Sequence, residues 1–228
     1  MVFFSGLENS PVSSPVIINH PVVSQDEYNS ENTDHKMTVR LYVPHIDGLS
    51  DKAVQSGIND RLLTYANKIK DDFAAWAKSD FENLSQGMEA YTHALTLSFE
   101  VKTLTESILS ILITEDSYTG GPYPTSYNHG FTFNLNTGEE YLLSDLFKDD
   151  FDYVTAINSE IINSGNLFYG KDKAYDIDIP QFDSITENQN FYLNDMQLII
   201  FYNEDEIAPH AVGYLEFYSD ITLDISRF

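Results

Sequence analysis

The period of the apolar residues switches between residues 76 and 91, and this restricts the fold to helix and sheet packed together. Before the change, Val54, Ile58, Leu62, Tyr65, Ile69, Phe73 and Trp76 recur at steps of three and four. Such spacing lays one continuous apolar stripe along a helix. Asp51, Lys52, Lys68, Lys70 and Asp71 fall largely off the stripe, so it reads as a core face. After Gly87 the period is two. Tyr91, His93, Leu95, Leu97, Phe99 and Val101 alternate with Thr92, Ala94, Thr96, Ser98, Glu100 and Lys102, as in an antiparallel strand with one wetter face.

The flanking segments extend this pattern. Residues 1–14 mix Ser, Asn, Pro and Gly with little periodicity and read as a tether. Residues 16–18 and 37–43 are β-branched strands joined by a polar hairpin loop at 29–35, with Ser50 as the helix N-cap. Residues 108–113 form a hairpin partner to the alternating strand, nearer the sheet centre because they are more hydrophobic. A strand over 127–135 turns at Asn136-Thr137-Gly138 and reaches Ser144, which would cap a short helix bearing Leu146 and Phe147. A second helical stripe runs through Phe151, Val154, Ile157 and Ile161, and strands are expected at 190–193, 197–202, 212–218 and 221–225. The expected class is α+β, a mainly antiparallel sheet with one long helix and shorter helices on one side. Two modules are expected, 15–116 and 117–228.

Composition narrows the partners. With 228 residues, 42% hydrophobic and 14% aromatic, the chain can bury a core. Its net charge of -24, from 36 acidic and 12 basic residues, repels nucleic acid and anionic lipid while steering a basic protein toward it. The same charge also serves solubility. There is no cysteine, hence no disulfide and no thiolate metal site. No run of about 18 apolar residues could span a membrane, and Met1-Val2-Phe3-Phe4 lacks the basic start and apolar core of a leader.

Residues that carry chemistry are sparse. The six histidines, at 20, 35, 45, 93, 129 and 210, show no metal-ligand spacing, although His129 and His210 could approach in space. Asp149, Asp150 and Asp152, and Asp172, Asp176, Asp178 and Asp183, offer hard oxygens without an EF-hand pattern and read as solvated acidic loops. No nucleophile elbow, phosphate loop or dinucleotide fingerprint occurs, and no metal or cofactor is expected. Two loops remain as candidates for a partner site. In Thr119-Gly120-Gly121-Pro122-Tyr123-Pro124, two glycines precede an aromatic held between prolines. The loop is either a recognition element presenting Tyr123 or a tight connection between strands. Glu206, Pro209 and His210 lie in the second loop, between two late strands that would let it sit beside the first.

Several motifs together resemble a known family. They are Tyr42-Val43-Pro44-His45-Ile46-Asp47-Gly48-Leu49 before the long helix, residues 119–147 from the Gly-Gly loop to Leu-Ser-Asp-Leu-Phe, and Glu206-Ile207-Ala208-Pro209-His210-Ala211-Val212-Gly213. Their order is similar to that of the RsiV/PdaC-like domains, the extracytoplasmic part of an anti-sigma factor and the non-catalytic domain of a peptidoglycan deacetylase. The resemblance implies a bacterial, extracytoplasmic, non-enzymatic domain whose partner is a basic protein such as lysozyme. The alternative it implies is an accessory domain that binds peptidoglycan. It also implies a leader or membrane anchor upstream of Met1. Where the family commonly has alanine-histidine, this chain has Pro122-Tyr123, so a contact made through that histidine does not carry over.

Overall fold

β1 (Val22–Asn32) and β2 (Met37–Asp47) form an antiparallel hairpin around residues 33–36. The computed structural model describes residues 20–83, 91–120, 123–163, 182–224 and 226, with the backbone of 167–169 and 173–175. The tether and the strand expected at 16–18 lie outside these residues. Gly48 then turns the chain at φ 85°, where a side chain would run into the His20 carbonyl.

α1 (Lys52–Glu82) follows. Its N-cap is Asp51 and not the expected Ser50: the Asp51 carboxylate accepts from the backbone N–H of Ala53 at 2.8 Å and of Val54 at 3.2 Å. The helix carries the chain back along the sheet, so β3 (His93–Leu104) pairs with β2 in parallel. β4 (Ile108–Tyr118) and β5 (Thr125–Asn134) add antiparallel strands, giving the order β1-β2-β3-β4-β5. α1 buries Ile58, Leu62, Ala66, Phe73 and Ala77 against Leu41, Leu97, Ile111 and Phe131. Trp76, the last residue of the stripe, remains 43% exposed and meets the buried His93 edge-on.

The rest of the chain builds a second layer. A 3-10 turn at Leu143–Leu146 starts from Leu142, whose N–H donates to Asp145, so Ser144 does not cap it. α2 (Tyr153–Asn163) buries Ile157 and Ile161. β6 (Leu167–Tyr169), β7 (Lys173–Tyr175), β8 (Phe191–Asn194), β9 (Gln197–Tyr202) and β10 (Leu215–Tyr218) form an antiparallel sheet ordered β7-β6-β10-β9-β8. The strand expected from 212 begins at Leu215, because Gly213 at φ 79° ends a 3-10 turn at His210–Val212. Residues 221–224, expected as a strand, are irregular.

β8 lies across β3, β4 and β5 on the face away from α1. On β4, Leu109, Ile111 and Ile113 point toward α1, whereas Ile108 and Leu112 pack into the second layer. A polar seam joins the layers. The Leu193 N–H donates to Ser110 Oγ at 2.9 Å, Thr103 Oγ1 donates to the Leu193 carbonyl at 2.9 Å, and Ser110 Oγ lies 2.9 Å from Thr132 Oγ1. At Gly130 the backbones approach so closely that an added Cβ would overlap the Phe191 carbonyl oxygen. Among the described residues, two sheets and two α-helices make the class α+β, with β2–β3 the parallel exception. β4 spans residues 116 and 117, and β5 pairs with it, so the first sheet draws strands from both expected modules.

Candidate partner-binding site

The first candidate loop leaves the sheet at Tyr118 and returns at Thr125. Gly121 and Pro122 lie outside the described residues. Gly120 has φ 87° and sits against the ring of Tyr91, which leaves no room for a Cβ. Tyr123 is 76% exposed and Tyr91 58% exposed, while Thr119 and Pro124 are also open to solvent. Two tyrosines are thus presented at one end of the sheet. The alternation expected over 91–101 concealed Tyr91 by placing it in the strand, whereas β3 starts at His93 and Tyr91 stands before it, against Gly120.

The second loop is tied to β5 at its base. The Asn128 N–H donates to Asn203 Oδ1 at 2.6 Å, and Asn203 Nδ2 donates to the Asn128 carbonyl at 3.1 Å. Glu206 in turn accepts from the Asn203 N–H at 2.9 Å. Glu206 and Tyr127 therefore line the same cleft, of about 420 Å³, together with Asp183, Gln189 and Tyr202. Pro209 and His210 are exposed on the far part of the loop, where His210 Nδ1 lies 3.3 Å from the carboxylates of Glu204 and Asp205. Among the described residues Tyr123 makes no hydrogen bond or ring contact with Pro209 or His210. β5 links the two loops: Tyr127 is four residues beyond Tyr123.

The electrostatics differ on the two sides of residues 187–190. In the 420 Å³ cleft, the Tyr202 hydroxyl is buried with no hydrogen-bond partner among the described residues, and burial, with the Glu206 charge, pushes its pKa above the usual phenol range. A second cleft, of about 240 Å³, is lined by Arg61, His129 and Glu140. There Arg61 Nε donates to Glu140 at 2.8 Å, which settles the charge locally. His129 stacks on Tyr65 at 5.0 Å, and burial, assisted by Arg61, lowers its pKa to about 4. His129 is neutral at pH 7 and has surroundings separate from those of His210.

The remaining acidic residues divide by position. Asp152 accepts from the Thr155 N–H at 3.0 Å at the start of α2, and this bond holds its pKa below the usual carboxylate range. Asp172, Asp176 and Asp178 lie outside the described residues, and Asp183 lines the larger cleft. Among the described residues no three His, Asp or Glu side chains gather as a metal-ligand set.

Two family models match in tandem: Deacetylase PdaC over residues 30–126 and Protein of unknown function (DUF3298) over residues 144–218. The Anti-sigma-V factor RsiV of Bacillus subtilis (strain 168) is 25% identical over 230 residues, spanning 95% of this chain and 76% of RsiV. The chain is similar to RsiV-type and PdaC-type domains along most of its length. A DUF3298 family member from Bacteroides fragilis NCTC 9343 has the same fold, with TM-score 0.57 and 16% identity over 87% of this chain and 89% of that one. A DUF3298 family protein from Pseudomonas aeruginosa PAO1 aligns with TM-score 0.52 and 10% identity over 87% and 88% of the two chains. In this RsiV-like chain the first model ends just inside β5, and the second begins after it. Among the described residues no helix is long and apolar enough to cross a membrane.

Proposed function

We propose that this chain is a non-enzymatic, extracytoplasmic protein-binding domain whose partner is a basic protein of the lysozyme type. The observation that carries the proposal is the match to an anti-sigma factor along 95% of the chain. A net charge of -24 supports a basic partner, because complementary fields speed encounter and weaken with salt over a screening length of about 8 Å at physiological ionic strength. The exposed tyrosines at 91 and 123 supply the aromatic anchors that protein interfaces favour. Gel filtration of the domain mixed with a basic lysozyme, at low and at moderate salt, is expected to give a complex that loosens as salt rises. Two separate peaks under both conditions reject a lysozyme partner.

The PdaC match over residues 30–126 favours one second reading, an accessory domain that holds a cell-wall enzyme on peptidoglycan. It requires the domain to sediment with insoluble peptidoglycan. Recovery of all the protein in the supernatant argues against it.

A further inference from the structure

The 420 Å³ cleft between β5 and the β9–β10 loop has the composition of a receptor for a single cationic side chain. Asp183 and Glu206 contribute carboxylates, and among the described residues lining it there is no Lys, Arg or His. The neighbouring cleft has the opposite state, since Glu140 is already bound by Arg61. Glu206 is fixed in place because one of its oxygens holds the Asn203 N–H and Asn203 clamps β5. Tyr127 is 43% exposed at the wall, where a flat cation can stack.

A second, independent observation points to a ligand. Tyr202 is only 5% exposed and lines this cleft, yet among the described residues its hydroxyl has no hydrogen-bond partner. A buried polar group left unsatisfied is costly and uncommon in a folded protein. The volume falls in the range that holds small ligands. A guanidinium is planar, weakly hydrated and offers several N–H donors at once, so it suits two carboxylates, a phenol oxygen and an aromatic face better than a compact ammonium does.

We propose that this cleft, with Glu206 and Tyr202 as its fixed polar groups, receives an arginine side chain of the partner protein. The proposal rests on the reading of the partner as basic, and it adds the site and the side chain.

The probe is N-acetyl-arginine amide titrated into the intact domain, followed by NMR shifts of the Gln189 and Asn190 amides, with N-acetyl-citrulline amide as the uncharged isostere. Saturable shifts with the arginine compound and none with the citrulline compound are expected. Glu206→Gln, which can still accept from Asn203, should weaken the arginine compound by about threefold or more. Tyr202→Phe should weaken it while leaving the melting temperature equal or higher, because it removes an unsatisfied hydroxyl. Equal response to both compounds, unchanged affinity in Glu206→Gln, or a lowered melting temperature in Tyr202→Phe overturns the assignment. So does saturation by N-acetylglucosamine oligomers in place of the arginine compound. Lysozyme complex formation without any arginine-amide response sinks the cleft and spares the lysozyme reading, and the reverse outcome sinks lysozyme and spares the cleft.

Discussion

At 76% exposure Tyr123 contributes little to the core, so truncating it leaves stability within about 0.5 kcal/mol of the parent. As an interface anchor it carries more: Tyr123→Ala is expected to weaken a lysozyme complex by about 2 kcal/mol. Thermal melting and calorimetric titration of this one variant measure both quantities, and unchanged affinity takes the loop out of the interface. His129 provides a pH signature. Burial holds its pKa near 4 in the folded state, against an ordinary 6.5 in the unfolded chain. The unfolded chain therefore binds the extra proton between those values. The contribution of neutral His129, up to about 3 kcal/mol, is complete above pH 6.5 and is lost as pH falls toward 4. His129→Phe keeps the stack on Tyr65 and should flatten stability over that window in denaturant titrations at pH 7, 5.5 and 4. An unchanged slope would mean that the group is already charged in the fold. Sequence supplied the loop residues, through glycine and proline. It did not supply the clamp between Asn128 and Asn203, two amides 75 residues apart that no local pattern connects.

Among the elements, α1 was the most legible, because its stripe repeats over many turns and only one face can be buried. Its first residue was less so: Ser50 and Asp51 are both good caps, and geometry selects the second. Asp51→Ala should cost about 1 kcal/mol in urea unfolding, whereas Ser50→Ala should cost almost nothing. Equal costs would place the cap elsewhere. β1 was missed over Val22–Asn32 for a physical reason. It is an edge strand exposed along most of its length, so its sequence has no buried face to impose alternation. The parallel pairing of β2 with β3 was equally invisible, since the direction of a neighbour is set by the path of α1 and not by the residues of either strand. At residues 221–224 apolar spacing suggested a strand, yet Ile221 and Leu223 pack against the second core without pairing.

For the whole molecule, the position of β4 decides what can be separated. Six consecutive residues, Ile108–Ile113, are buried, with one face on α1 and the other on the second layer. A fragment of residues 20–118 would lose β5 and β8 together. It would expose β4 as a long apolar edge, a template for pairing with other chains. Such a fragment is expected to aggregate on expression, and a monomeric fragment with native-like near-UV circular dichroism would contradict this. For anyone cutting or recombining the chain, residues 119–124 are therefore a poor joint: a break there separates β4 from β5, neighbours in one sheet, and leaves each half without the strand that completes it.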